Sequence, residues 1–348
     1  MPFPVNLAEI RKIFYTVFET DKASKWREIL EKKVPLRIGS MSDSFMWMDQ
    51  KYRVSLEFLK ILRFYQYPHI IFTRSDLIAT QDYINTMDPS LVSIQFSMSG
   101  GNEELVRKLE PGAPSVKRRL AALKTLSENG FWTTVRLNPL FPIYPDGYYT
   151  DQNSIRERFG SIDNAPKLEI FDWSFLDQLR EHKVPSVLAG FVRLSRFAVK
   201  GMSEQLGQDL STFFKPELFS RVSDSRYSDS EIAFYYKKIQ AHCARIGLRF
   251  STCYIGMGAK DYFQHQPLWD NSSDCCDART NVKAFKASSQ DIPWSVRMKH
   301  APRKDEAASA RAEEQSLNEQ FSLSSFSSPP GLNIQIRFQE NAGTMKES

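Results

Sequence analysis

The sequence predicts an α/β fold built on a parallel sheet, and two observations carry the prediction. Short apolar runs recur along the first 255 residues, among them "HIIFT" (69–73), "LVSIQFS" (91–97) and "FWTTVRL" (131–137). Amphipathic helical stretches alternate with these runs across short loops, which is the pattern of strand–helix–strand crossovers. An open doubly wound sheet and a partial barrel both satisfy it.

The elements follow in order. Residues 7–32 read as a helix, with Asn6 as N-cap, Glu9 completing a capping box, and Leu7, Ile10, Phe14, Val17 and Phe18 along one face. A strand at 35–39 leads through "GSMSDS" into a helix over 51–66. The strand at 69–73 is followed by a helix over 75–87, and the strand at 91–97 by "SVKRRLAALKTLSENG", a helix that ends on Gly130. The strand at 131–137 is closed by Asn138-Pro139, and a polar, aromatic insertion runs over 142–167. Helices at 172–182 and 229–246 and strands at 184–193 and 248–255 continue the alternation. From about residue 270 the character changes, so the expected division is a barrel-like domain, 1–268, and a C-terminal extension, 269–348. Within the extension, 300–330 is charged and then Ser-rich and reads as disordered or loosely helical, and "LNIQIRF" (332–338) alternates like an isolated strand.

Composition narrows the class. A chain of 348 residues, 41% hydrophobic and 25% charged, is ordinary for a globular protein. The net charge of +5 is compatible with an anionic partner but too mild to argue for one. Lys117, Arg118 and Arg119 form a basic cluster that reads as a solvated helix face. The apolar runs are too short to span a bilayer and the first residues carry no signal pattern, so a cytoplasmic protein without a membrane partner is expected. Four cysteines, Cys243, Cys253, Cys275 and Cys276, are too few for a disulfide scaffold and read as free thiols.

In a parallel α/β architecture, ligands gather at the carboxyl ends of the strands. Those ends are polar throughout. They offer Ser40, Ser42 and Asp43; then Thr73, Arg74, Ser75 and Asp76; then Gln95, Ser97 and Ser99, followed by a Gly-Gly that lets backbone approach a ligand. Further on come Arg136 and Asn138, and Arg193 and Ser195. Arg136, flanked by Val135 and Leu137, is a costly charge on an apolar strand unless it meets a carboxylate or phosphate. No nucleophile–histidine–acid set, Walker loop or G-x-G-x-x-G is present, which points to a cofactor for the chemistry.

The stretches "GSMSDSF", "IFTRSDL", "QFSMSGGNEELVRKLEPGAPSVKRRLAALKTLSENGF" and "VRLNPLFP" together resemble radical S-adenosylmethionine (SAM) enzymes of the spore photoproduct lyase-like branch, also labelled DNA repair photolyase. The resemblance covers residues 6–140 well and 170–255 loosely. It implies a partial (β/α)6 TIM-like barrel holding a [4Fe–4S] cluster and SAM. It also implies an external electron donor and a 5′-deoxyadenosyl radical that abstracts hydrogen from a substrate, with nucleic acid suggested by the branch.

Carried over residue by residue, Ser42, Arg74, Ser97, Glu110 and Arg136 would bind or orient SAM and the ligand. Arg74 stands where the family has a lysine facing the methionyl carboxylate, and Ser40 where some lyases carry a hydrogen-donating cysteine. The family's C-x3-C-x2-C loop, whose thiolates leave one iron open for SAM, has no counterpart before the first helix, and neither has its first strand. The expectation is therefore a radical SAM-type enzyme whose cluster ligands are absent from this chain. The alternative is a cluster-free remnant that binds a ligand or a partner. Cys253, Cys275 and Cys276 are candidates for an auxiliary metal site.

Overall fold

A computed structural model describes residues 5–39, 42–141, 152–165, 167–192, 194–213, 229–252, 266–270 and 274–287. The chain divides into two compact units, one formed by Met1–Pro35, Tyr52–Pro68 and Ala287–Ser348, the other by Leu36–Lys51 and His69–Lys286.

In the first unit, the expected helix over 7–32 is two helices, α1 (Leu7–Glu19) and α2 (Arg27–Glu31). The start of α1 is as read: the Asn6 side chain accepts from the backbone N–H groups of Ala8 and Glu9. Its end is set by a residue far along the chain. The Arg27 guanidinium donates to the carbonyls of Thr16, Val17, Thr20 and Lys22 at 2.6–3.0 Å. It thereby satisfies acceptors that a helix C-terminus leaves open and adds a cation where the helix dipole favours one. Helix α4 (Val54–Phe64) belongs to the same unit. Phe14 packs its ring 5.2 Å from Tyr65 and 5.3 Å from Tyr67, centroid to centroid. The Tyr67 hydroxyl, deeply buried, donates to Val34 O.

The second unit holds the sheet: β1 (Leu36–Ile38), β2 (His69–Thr73), β3 (Val92–Met98), β4 (Trp132–Leu140), β5 (Ser186–Phe191) and β6 (Arg249–Thr252). Every neighbouring pair is parallel and the spatial order is the sequence order, β1-β2-β3-β4-β5-β6. This order decides between the two architectures. A doubly wound sheet reverses its strand order so that helices cover both faces; a sheet that always steps the same way, with right-handed crossovers, sends its helices to one face and curls around the other. The fold is a partial (β/α)6 barrel.

Helix α3 (Asp49–Tyr52) follows β1, and Asp49 within it accepts a short hydrogen bond from the Tyr83 hydroxyl, both residues being buried. A 3-10 turn (Asp76–Ala79) and α5 (Gln81–Thr86) follow β2, and α6 (Glu103–Leu109) and α7 (Val116–Glu128) follow β3. Then come α8 (Gln152–Phe159), α9 (Trp173–Glu181), α10 (Arg196–Leu206) and α11 (Asp229–Ile246). Strand β4 does not stop at Asn138-Pro139. Proline lacks only its own N–H, and pairing with β5 resumes at Leu140 after a register shift.

The inner face of the sheet is occupied at one level by α12 (Ala278–Asn281), α13 (Lys283–Ala287) and the turn before them. Cys276, Ala278, Val282 and Phe285 form one buried cluster with Ile70 and Phe72 of β2, with Trp132 and Cys275 packed against it. Trp132 Nε1 donates to Cys276 O at 2.9 Å, and the Ser251 hydroxyl donates to Cys275 O. Arg249 pairs with Asp277 at 2.7 Å; burial pushes that carboxyl above its ordinary range, and the guanidinium pulls it partly back. Residues 300–330 and 332–338 lie outside the described residues.

Candidate functional site

The carboxyl ends of β1 to β4 build a hydrogen-bonded rim. After β1 the chain turns at Gly39, whose φ is +81° and whose missing Cβ would lie 2.2 Å from Phe72 O. Only glycine fits both demands. The turn delivers Asp43 to the end of β2, where its carboxylate accepts from the Thr73 hydroxyl at 2.9 Å and from the Arg74 N–H at 2.6 Å. The Phe45 N–H closes the loop on the same carboxylate at 2.9 Å. Thr73 in turn accepts from the Ser75 N–H. Asp43 thus fixes the backbone from which Arg74 projects.

Glu110, just past α6, is the centre of the rim. Its Oε1 accepts from the Ser99 hydroxyl at 2.8 Å and lies 3.4 Å from Arg74 Nε. Its Oε2 accepts from Arg119 Nη1 at 2.6 Å, and the same nitrogen donates to Ser97 O at 3.2 Å. The Arg119 side chain is buried, whereas the Arg74 side chain is 41% exposed. Two guanidinium groups therefore converge on one carboxylate, one of them buried and the other partly exposed.

Arg136, the register partner of Ser97, turns along the inner face of β4. Its Nη1 donates to Gln95 Oε1 at 3.1 Å, and its guanidinium carbon stands 4.9 Å from the centre of the Phe72 ring. The amide and the aromatic face thus support a half-buried charge.

Of the residues singled out in the sequence, Arg74, Ser97, Glu110 and Arg136 fall on one contiguous rim. Ser42 is exposed in the loop beside Asp43. Ser40, Arg193 and Cys253 lie outside the described residues. Two readings need correction. Arg119 is not part of a solvated basic face, because it is buried against Glu110, while its neighbour Arg118 forks onto Asp76 at 2.7 and 3.0 Å. The space beside Gly100-Gly101 belongs to the chain itself: a Cβ on Gly100 would lie 1.9 Å from Ile170 O, and one on Gly101 2.9 Å from the Phe175 ring. In the loop after β1, Phe45 is fully buried, whereas Trp47 is 76% exposed.

Cys275 and Cys276 place their sulfurs 3.8 Å apart. The hydrogen bond from Cys275 and burial raise the Cys276 thiol well above its ordinary pKa. Among the described residues, no group of three His, Cys, Asp or Glu side chains is arranged to hold a metal ion. A [4Fe–4S] cluster does not fit them. Among the described residues, no helix is long and apolar enough to cross a membrane.

No protein-family model matches the sequence, and the search of curated proteins found no match. Solved structures do match. A spore photoproduct lyase variant is similar with 13% identity and a TM-score of 0.44, over 66% of this chain and 64% of that one. The lyase variant solved with AdoMet and a dinucleoside spore photoproduct gives 14% identity and a TM-score of 0.41, over 66% and 64%. Streptococcus suis SuiB bound to the precursor peptide SuiA gives 14% and 0.38, over 73% of this chain and 46% of that one. The likeness to spore photoproduct lyase expected from the sequence is thus found among solved structures. It concerns the fold, and the chain spans somewhat less than two thirds of the lyase it matches.

Proposed function

We propose that the barrel is a SAM-binding enzyme of the radical SAM type and that its rim at the ends of β2 to β4 is the SAM site. The observation that carries this reading is Arg74. Its backbone is pinned by Asp43, its buried Nε lies 3.4 Å from Glu110 Oε1 without a hydrogen bond, and its side chain is 41% exposed. A partly desolvated, pre-oriented guanidinium suits a carboxylate such as the methionyl group of SAM, which it can hold in a two-point contact. Bound SAM would supply a sulfonium whose carbon–sulfur bond can be cleaved. This chain's own residues bind and orient. Arg74 anchors the carboxylate, and Glu110 with Arg119 behind it fixes the direction in which Arg74 extends. Ser97 and Arg136 line the wall on which a substrate would rest. The described residues offer no ligand set for an iron–sulfur cluster. A nucleic-acid substrate rests on the sequence resemblance, because two of the three bases on α7, Arg118 and Arg119, are paired with Asp76 and Glu110.

Isothermal titration with SAM tests the reading. The protein should bind SAM, and Arg74→Ala should weaken binding about tenfold or more while Arg74→Lys retains most of it, the cost of one charge-assisted contact being about 1.5–3 kcal/mol. No heat of binding, or equal affinity in Arg74→Ala, would refute it.

A further inference from the structure

Two thiols stand side by side in the turn that opens the inner-face segment. Cys275 and Cys276 place their sulfurs 3.8 Å apart, and neither is in a disulfide. The backbone around them is fixed from several directions. The Asp274 carboxylate accepts from the N–H groups of Cys276 and Ala278 at 3.0 Å and of Arg279 at 2.9 Å. Trp132 Nε1 donates to Cys276 O at 2.9 Å, and the Ser251 hydroxyl donates to Cys275 O. The peptide that joins the cysteines is thus held at its N–H and at its carbonyl.

The two thiols differ in access. Cys275 is half-buried and Cys276 is buried. The contact with Cys275 and burial keep the Cys276 thiol protonated well above its ordinary range. Cys275 is therefore the sulfur that a dissolved oxidant meets, and Cys276 stands behind it with its proton. The anchors of the segment, Trp132 and Arg249, open β4 and β6. The pair accordingly lies toward the amino ends of the strands, away from the rim at their carboxyl ends.

We propose that Cys275 and Cys276 are a reversible oxidation site, a vicinal dithiol that hydrogen peroxide closes to a disulfide. The Cys275 thiolate attacks one peroxide oxygen, the O–O bond breaks, hydroxide leaves, and Cys275 becomes a sulfenic acid. The proton lost by Cys275 neutralises that hydroxide. The Cys276 sulfur then attacks the Cys275 sulfur, the S–O bond breaks, and the departing hydroxide takes the Cys276 proton. Two thiols are oxidised and one peroxide is reduced to two waters. Adjacent Cα atoms are only about 3.8 Å apart, whereas relaxed disulfides span about 4.4–6.8 Å, so the bridge is strained and readily reduced again. Closing it draws the joining peptide away from Ser251 and Asp274, which loosens the seat of the inner-face segment.

The test is peptide mapping of the full chain after hydrogen peroxide, with remaining thiols alkylated in denaturant. Cys275 and Cys276 share one tryptic peptide, 261–279, which contains neither Cys243 nor Cys253. That peptide should be lighter by two hydrogens and unalkylated, and dithiothreitol should restore both thiols. The thermal midpoint should fall by roughly 2–4 °C on oxidation and recover on reduction. Cys275→Ser should keep its midpoint through the same treatment, which separates the bridge from methionine oxidation. The site is overturned if the wild-type peptide keeps both thiols, becomes linked to a second peptide, or is oxidised beyond recovery by dithiothreitol. The loosening is overturned if the bridge forms without lowering the midpoint, or if Cys275→Ser loses as much as the wild type. Should Cys275→Ser fail to fold, the mass of the wild-type peptide still decides the site.

Discussion

Arg119 Nη1 lies 2.6 Å from Glu110 Oε2, with the Arg119 side chain 1% exposed and that of Glu110 9% exposed. The two residues stand on opposite sides of the α6–α7 turn and bind the end of β3 to both helices, because the same nitrogen also reaches Ser97 O. A buried pair of this kind is weak as a source of net stability, yet breaking it from one side strands a charge.

The two halves of the pair should therefore respond unequally to mutation. Glu110→Gln leaves Arg119 buried without its counter-ion and is expected to cost about 3–5 kcal/mol. Arg119→Met leaves Glu110 with Arg74 and Ser99 and should cost clearly less. Urea denaturation of both variants checks the asymmetry. Equal losses would mean that Glu110 is not the shared centre.

Gly100 should tolerate no side chain. Its Cβ would lie 1.9 Å from Ile170 O and 2.7 Å from Phe171 Cα, and both obstacles are backbone. Gly100→Ala is expected to lower stability by about 3 kcal/mol or more, because neither strand β3 nor the residue 170 segment can give way cheaply. Gly112→Ala is the contrast for sterics: its Cβ meets nothing within 4 Å, and its positive φ sets the only cost. A melting comparison in which Gly100→Ala is the milder change would contradict the packing described.

The thiols should separate by reactivity. Burial, reinforced by Asp270 and Asp177, pushes Cys243 upward, and the Cys275 contact with burial does the same for Cys276. Because the thiolate is the nucleophile, a raised pKa moves reaction to higher pH, so at pH near 8 both should resist iodoacetamide in the folded protein. Both should become labelled once the protein is unfolded. Peptide mapping by mass spectrometry reads this directly, and fast labelling of native Cys276 would show that the inner-face segment does not stay seated.

Much of the fold could be read along the chain because it is written locally. "HIIFT" is β2 residue for residue, the helix expected over 229–246 is α11, and the Asn6 cap starts α1 as its spacing with Glu9 implied. What could not be read depends on partners remote in sequence. Helix α1 ends because Arg27 folds back eleven residues onto Thr16, and no local breaker marks the place. Arg119 looked like one of three exposed bases because its partner Glu110 lies nine residues away across a turn. The Gly-Gly after β3 looked like room for a ligand, since the sequence does not say that residues 170–175 fill it. Four of the five expected site residues did fall on one rim, because the ends of parallel strands must converge wherever the loops lead.

The charge count at the rim has a consequence for how the protein would be handled. Among the described rim residues, Arg74, Arg119 and Arg136 stand with the carboxylates of Asp43 and Glu110, a count of three positive charges to two negative. Guanidinium groups do not titrate in the usable range, so acidity cannot remove that surplus. Dissolved salt can, since its screening length at about 0.15 M is only about 8 Å. Ionic strength, more than buffer pH, would set how strongly the barrel mouth draws in an anion.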